Sequence, residues 1–200
     1  MSTNSREQIL SAIRLNIPPE PVEHPQIPNF RRVDTHLKYL KSTFEKHLQE
    51  AGGVAHDIGN KTEARAKLAS LHPTAQVICS AVPEIPGTRR AENIRDPHEL
   101  ADVDVGVVRA QLGVAESGAV WLTQEDLIVN SLGFLSQHLV VLLDPKEIVA
   151  HMHEAYARVR LDQTAYGCFM MGPSGTGDIE ATLVHGAQGS RSLNLFFLRR

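Results

Sequence analysis

The clearest helical pattern in the chain lies in residues 34–51. Apolar residues recur there at intervals of three or four, at Leu37, Leu40, Phe44 and Leu48. Lys and Glu residues occupy the positions between them, and two glycines follow at Gly52 and Gly53. This spacing predicts a long amphipathic helix that buries one face and ends at the glycines.

Short apolar runs alternate with further helical patterns downstream of this segment. Runs typical of buried strands lie at residues 54–58, 75–79, 103–108, 119–123, 139–143, 168–171 and 193–198, and helical patterns lie at residues 61–71, 145–159 and 178–184. The alternation predicts an α/β fold with a mainly parallel sheet covered by helices on both faces. Residues 103–123 differ, because two strand-like runs are joined there through Gly113 and Gly118, which predicts a β-hairpin insertion.

The N-terminal part of the chain has a different character. Ile9, Leu10 and Ile13 share one face of a predicted helix over residues 5–14. Closely spaced prolines over residues 18–28 then predict an extended tether. We therefore expect an N-terminal helical arm and tether over residues 1–29, followed by a single α/β domain over residues 30–200.

Composition and charge narrow the classes of function. The chain has 42% hydrophobic and 22% charged residues and a net charge of −3, which is typical of a globular protein and argues against nucleic acid or an anionic membrane surface as a partner. The longest apolar run, residues 139–143, is far shorter than a membrane span, and the N-terminus has no signal-peptide core. We expect a soluble, cytoplasmic protein.

Metal chemistry on this chain is not predicted. Its two cysteines, Cys79 and Cys168, are too few for a closed zinc site or an iron–sulfur cluster. Among its ten histidines, His151 and His153 would diverge on a helix because they are two residues apart. His138 precedes an apolar run and is either a packing residue or a residue at a pocket mouth.

A glycine-rich loop at residues 171–178 is the first candidate site. It contains Gly172, Ser174, Gly175, Thr176, Gly177 and Asp178, and lies between a predicted strand and a predicted helix. Glycines allow a ligand to approach the backbone, and a helix N-terminus attracts anions. The glycine spacing matches neither a Rossmann fingerprint nor a phosphate-binding Walker loop. A well-capped structural turn, with Thr176 as the N-cap, is the alternative.

Two further turns carry groups that could act on a ligand. Glu116, Ser117 and Gly118 form an acidic turn, and desolvation there would raise the pKa of Glu116 and suit it to general acid–base or nucleophilic chemistry. A turn containing Gly186, Gly189 and Arg191 follows the last predicted helix, and Arg191 could clamp a carboxylate or phosphate. A solvated hairpin glutamate and a solvated surface arginine are the alternatives.

Three segments together resemble the lactate-utilization protein C family, whose shared module is the LUD domain. They are GVAESGAVWL, FLSQHLVVLLDPKEIV and GPSGTGDIEATLVHGAQGSRSLNLFFL, in that order. The resemblance implies a Rossmann-like fold of the class that includes sugar-phosphate isomerases and CoA transferases. It also implies a role in the bacterial oxidation of L-lactate to pyruvate, with iron–sulfur clusters on partner proteins and no cofactor on this chain.

The resemblance places the ligand pocket on the three turns described above. The chain departs from the family pattern at Gly175, where Arg is common, and at Gln188 and Ser190, where the family has His and Pro. In the family, a basic residue and a proline usually precede the strand predicted at residues 139–143. Both are missing from this chain, which has Asn130 and Gly133 near those positions. The loss of these basic side chains predicts that the pocket binds an anionic ligand more weakly than the family pattern would.

Three functions follow as hypotheses. The first is an accessory protein of L-lactate utilization that binds a small carboxylate or phosphate, or organises its iron–sulfur partner proteins. The second is a free-standing enzyme resembling CoA transferases or sugar-phosphate enzymes, with Glu116 as the catalytic residue. The third is a non-catalytic interaction module, and the oligomeric state is left open. A shared pocket requires the three turns to meet at one rim of the sheet, with Glu116 and Arg191 facing the same concavity; without it, the functional case rests on the family resemblance alone.

Overall fold

The computed structural model describes residues 4–18, 25, 36–179 and 182–200, except for the side chains of residues 178 and 179. The chain divides into two compact units, Met1–Arg32 and Val33–Arg200. In the first unit, helix α1 (Ser5–Asn16) begins at Asn4, whose side chain accepts a hydrogen bond from the Arg6 N–H. The helix predicted over residues 5–14 is therefore confirmed. Most of the predicted tether lies outside the described residues, and the division at residue 29 stays a prediction.

The second unit contains the remaining helices and all the strands of the described chain. Its helices are α2 (Leu37–Glu50), α3 (Lys61–Leu71), α4 (Gln124–Leu127), α5 (Leu132–Leu135) and α6 (Met152–Arg158). Its strands are β1 (Val54–Asp57), β2 (Ile78–Ser80), β3 (Arg89–Arg90), β4 (Val105–Arg109), β5 (Leu112–Val114), β6 (Ala119–Thr123), β7 (His138–Leu143), β8 (Ile148–Val149), β9 (Gly167–Met170), β10 (Gly175–Ile179), β11 (Thr182–His185) and β12 (Ser192–Phe197).

A six-stranded parallel sheet forms the centre of this unit, in the order β1-β12-β7-β4-β2-β3. Phe44 and Leu48 of α2 are buried against one face, and Ala64 and Leu68 of α3 against the other. Burial on both faces explains why the central strands are almost continuously apolar. The predicted α/β fold, with a mainly parallel sheet and helices on both faces, is confirmed.

A second sheet has four strands in the order β8-β5-β6-β9. It contains a hairpin near the predicted insertion, but the prediction chose the wrong first strand. The partner of β6 is β5, whereas residues 105–109 form β4 of the central sheet. The single helix predicted over residues 145–159 is also wrong, because Ile148 and Val149 pair with β5 and only Met152–Arg158 is α-helical.

The helix predicted over residues 178–184 is wrong as well. Its described residues, 178–179 and 182–184, lie in the antiparallel strands β10 and β11, in which Gly175 pairs with His185 and Thr176 pairs with Val184. The β-branched residues Thr176, Thr182 and Val184 favour extended backbone here. The glycine-rich loop is thus not followed by a helix, so it has no helix dipole to offer an anion, and Thr176 is not an N-cap.

Candidate functional site

Two of the three predicted turns meet in space. The Ser174 N–H donates to the Ser190 carbonyl at 2.9 Å, and the Gly186 N–H donates to the Ser174 carbonyl at 2.8 Å. Gly172 has a φ of +65°, and a side chain there would collide with the carbonyl of Ala51 at the end of α2. The loop at residues 172–175 and the turn at residues 186–190 therefore form one wall.

This wall encloses a cavity of about 390 Å³, which we call the glycine-turn cavity. Its other lining residues come from α5, from strands β7, β9 and β12, and from Met171 directly after β9. Ser190 is only 6% exposed, and its hydroxyl oxygen has no hydrogen-bond partner in the described chain. The lining residues carry no formal charge. The cavity can offer hydroxyl and backbone groups to a small polar ligand, but the cation expected of an anion clamp is missing.

Glu116 lies in a different environment from the one predicted. Its backbone N–H donates to the Ala150 carbonyl, and its carboxylate accepts from the Met152 N–H at 2.6 Å and contacts His151 Nδ1 at 2.9 Å. Burial acts to raise the pKa of Glu116, but these hydrogen bonds and the neighbouring charges of His151 and His153 lower it below its ordinary value. The predicted rise in pKa is therefore wrong, and the carboxylate caps the start of α6.

Ser117 and Gly118 complete this acidic turn and fix it to the end of α2. The Ser117 hydroxyl accepts from the Ala119 N–H at 3.3 Å. Gly118 has a φ of +70°, and a side chain there would collide with the backbone of Leu48. Because Gly172 packs on Ala51 of the same helix end, the acidic turn and the glycine-rich loop share a structural support.

Arg191 lines another cavity, of about 520 Å³, which we call the histidine cavity. His72, Asp104 and His138 line it too. The prediction that Arg191 and Glu116 face one concavity is wrong, because Glu116 is bound to the start of α6. Sequence reasoning missed His72 and gave His138 little weight. The one signal for His138 was its position directly before an apolar strand.

The remaining predicted site residues lie in β10 or, for Gly189, in the turn at residues 186–190. Gly175 and Gly189 line the glycine-turn cavity, whereas Thr176 and Gly177 lie in the hairpin strand. Asp178 also lies in β10, but its side chain is outside the described part of the structure. A functional role for any of these residues stays a prediction.

The described residues contain no cluster of three His, Cys, Asp or Glu side chains that could hold a metal ion. Burial raises the pKa of the Cys79 thiol to about 11 and also raises the pKa of Cys168. Neither thiol is therefore activated as a nucleophile. Within the same described residues, no helix is long and apolar enough to cross a bilayer.

The parallel sheet and its flanking helices place the chain among α/β proteins of Rossmann-like architecture. The crystal structure of a DUF162 family protein from Deinococcus radiodurans has a similar fold, with a TM-score of 0.61 and 15% sequence identity over 80% of this chain and 97% of that one. The family model of the LUD domain matches residues 82–198, which is more than half of the chain. The chain belongs to the LUD domain family.

Two curated relatives share the name Lactate utilization protein C. The one from Shouchella clausii (strain KSM-K16) is 33% identical over 98 residues, which cover 46% of this chain and 42% of that protein. The one from Oceanobacillus iheyensis is 29% identical over 92 residues, covering 43% of this chain and 40% of that protein. The chain thus matches less than half the length of each relative.

Proposed function

We propose that this chain is the LUD-domain component of a bacterial L-lactate utilization system and acts in the cytoplasm. Iron–sulfur proteins encoded as other chains oxidise L-lactate to pyruvate, and this chain assists them. The observation that carries the proposal is the family match over residues 82–198, since that block contains all three turns and the relatives similar to this chain are named for lactate utilization.

The electron-transfer step is assigned to the partner proteins. The chain has two cysteines, whereas a ferredoxin-type cluster held by one protein takes four thiolates. The two thiols also lie in different sheets, Cys79 in β2 and Cys168 in β9. This chain would then bind a small ligand or organise the cluster-bearing proteins.

The glycine-turn cavity is the ligand site in this proposal. A small polar molecule would contact the Ser190 hydroxyl and the backbone between Gly172 and Gly175. Three of the residues that differ from the family pattern, Gly175, Gln188 and Ser190, line this cavity. They would adapt it to a ligand with less negative charge than the family's usual one.

The test is growth on L-lactate as sole carbon source after deletion of the gene. We expect growth to fail and the intact chain to restore it. Normal growth of the deletion strain would reject the proposal. Copurification of iron–sulfur proteins with the tagged chain tests the partners separately.

A pair of serine variants tests the cavity within the same strain. Ser190 and Ser131 both have buried hydroxyl oxygens without a partner in the described chain, but only Ser190 lines the cavity. Ser190→Ala should impair complementation, whereas Ser131→Ala should not. Equal complementation by both variants would remove the cavity from the proposed function.

The enzyme hypothesis based on Glu116 has less support from the geometry. Both carboxylate oxygens accept hydrogen bonds at the start of α6, which leaves a poorer nucleophile than a free carboxylate. Incubation with acyl-CoA donors followed by hydroxylamine would trap an acyl adduct on Glu116 if the hypothesis held. We expect no adduct.

A further inference from the structure

Polar side chains converge at the amino-terminal edge of the six-stranded sheet. His138 is the first residue of β7 and pairs in register with Ser192, the first residue of β12. Asp104 directly precedes β4, and His72 follows the end of α3. Because adjacent parallel strands begin at the same edge, these groups and Arg191 line one space, the histidine cavity of about 520 Å³.

Two charged groups in this cavity are available to a ligand. Asp104 Oδ2 accepts hydrogen bonds from the N–H groups of Gln76 at 2.7 Å and Val77 at 2.9 Å, and these bonds hold the pKa of Asp104 below its ordinary value. Its Oδ1 accepts no hydrogen bond from the described residues. The Arg191 guanidinium likewise makes no hydrogen bond or ion pair within the described part of the chain. The cavity thus holds a guanidinium fork and a carboxylate oxygen, both without partners there.

Two imidazole rings stand beside these charges. The rings of His72 and His138 are 4.5 Å apart between centroids, and His138 Nδ1 lies 2.8 Å from Ser192 Oγ. His72 Nε2 is buried and has no hydrogen-bond partner among the described residues. A buried ring nitrogen without a partner is costly, and a bound ligand would satisfy it.

The protonation of this pair follows from its surroundings. Burial lowers the pKa of His72, and the charge of His138 lowers it further. Burial and then Arg191 lower the pKa of His138, while Asp104 acts in the opposite direction. Asn194 also lines the cavity, and its side-chain Oδ1 lies within hydrogen-bond distance of His56 Nε2, at 3.0 Å. Near neutral pH both rings of the pair are uncharged, so Arg191 and Asp104 carry the full charges of the cavity.

We propose that the histidine cavity binds a small monocarboxylate with a hydroxyl group next to its carboxyl group. Arg191 pairs with the carboxylate, for which its planar fork is suited. The hydroxyl donates to Asp104 Oδ1, and the ring nitrogens of His72 and His138 bond the ligand oxygens. A dianion is disfavoured, because its second negative charge would face Asp104 with only one guanidinium to balance it.

Isothermal titration of the full chain near neutral pH tests this assignment with L-lactate, pyruvate and inorganic phosphate as probes. L-lactate should bind saturably within about 10 mM, the range of a weak small-ligand Kd. Pyruvate should bind more weakly because it has no hydroxyl to donate to Asp104, and phosphate should bind least. Phosphate binding more tightly than L-lactate, or pyruvate binding equally, would overturn the hydroxy acid assignment.

Two arginine variants locate the site. Arg191→Gln should weaken L-lactate binding at least tenfold, whereas Arg199→Gln, an exposed arginine in another cavity, should leave it unchanged. L-lactate should also raise the pKa of His72 and His138 in NMR titrations of the imidazole protons, because a bound anion favours the charged rings. The absence of saturable binding, equal effects of both variants, or unmoved histidine signals would each refute the proposal.

The ligand class follows from the cavity's groups and does not require the proposed function. If the purified chain binds L-lactate but the deletion strain grows normally on L-lactate, the site stands and the lactate-utilization role is rejected. If the deletion strain fails to grow but the purified chain binds no L-lactate, the role stands and the site is rejected.

Discussion

Replacement of Glu116 by alanine tests whether this residue is structural or catalytic. The substitution removes two contacts at the start of α6, from the Met152 N–H and His151 Nδ1. A hydrogen bond to a charged group is worth about 1.5–3 kcal/mol. The Glu116 side chain is 43% exposed, so water compensates part of that loss. We expect Glu116→Ala to lower the free energy of unfolding by about 1–2 kcal/mol.

Urea denaturation measures this change, and thermal unfolding should show a fall of about 2–4 °C per kcal/mol for a domain of this size. Glu125→Ala is the matched control, because Glu125 is exposed in the first turn of α4. It should change stability by less than about 0.5 kcal/mol. If the two variants lose equal stability, Glu116 does not cap α6 and the structural interpretation fails.

The pH dependence gives a second check on Glu116. Its pKa in the folded chain lies below the ordinary value of 4.5, so the folded state binds the proton less tightly than the unfolded state. The stabilisation from the ionised carboxylate is therefore present above the unfolded pKa and is lost as the pH falls through the folded pKa. The stability difference between the natural chain and Glu116→Gln should shrink over that acidic range. If the stability difference between the two proteins is constant with pH, the ionised Glu116 carboxylate does not stabilise the fold through its hydrogen bonds.

Three other substitutions test the fold and the glycine-turn cavity. Gly118→Ala should cost more than about 2 kcal/mol in urea denaturation, because φ is +70° and the new methyl group meets the backbone of Leu48. Arg109→Met should cost about 3–5 kcal/mol, since it leaves the half-buried Glu84 carboxylate, whose side chain is 15% exposed, without its partner at 2.9 Å, and a second change of Glu84 to Leu should recover much of that loss. Gly175→Arg should change stability by less than about 0.5 kcal/mol, because a Cβ atom there makes only ordinary van der Waals contacts with Leu183 and His185, at 3.6 Å or more, and should raise phosphate affinity about tenfold by calorimetry. Unchanged phosphate affinity would show that this position does not serve an anion site.

The central layers could be predicted because local pattern and tertiary environment agree there. Leu40, Phe44 and Leu48 are buried by α2 as their spacing requires. Helix α3 has the predicted bounds, with Asn60 capping its first N–H groups. The apolar runs at β7 and β12 pair in register across the sheet. Each of these segments buries a face that its own sequence defines.

Prediction failed where a distant strand decides the structure. Ile148 and Val149 fit a helical pattern, but pairing with Gly113 and Val114 draws them into the second sheet. The segment after Gly177 also has helical spacing, yet the pairing of β10 with β11 makes it a hairpin. Backbone pairing with a remote partner leaves no periodicity signal in a short segment.

The position of Arg191 shows why spacing alone could not define the site. Strand β12 places Leu193 against one side of the sheet and Ser192 and Asn194 against the other. The turn before it lies across the end of that strand, so Ser190 lines the glycine-turn cavity while its neighbour Arg191 lines the histidine cavity. Residues adjacent in the family motif thus serve opposite faces. A cation lost from the glycine-turn cavity at Gly175 is consequently not replaced by Arg191, and the two cavities should differ in the charge of the ligands they accept.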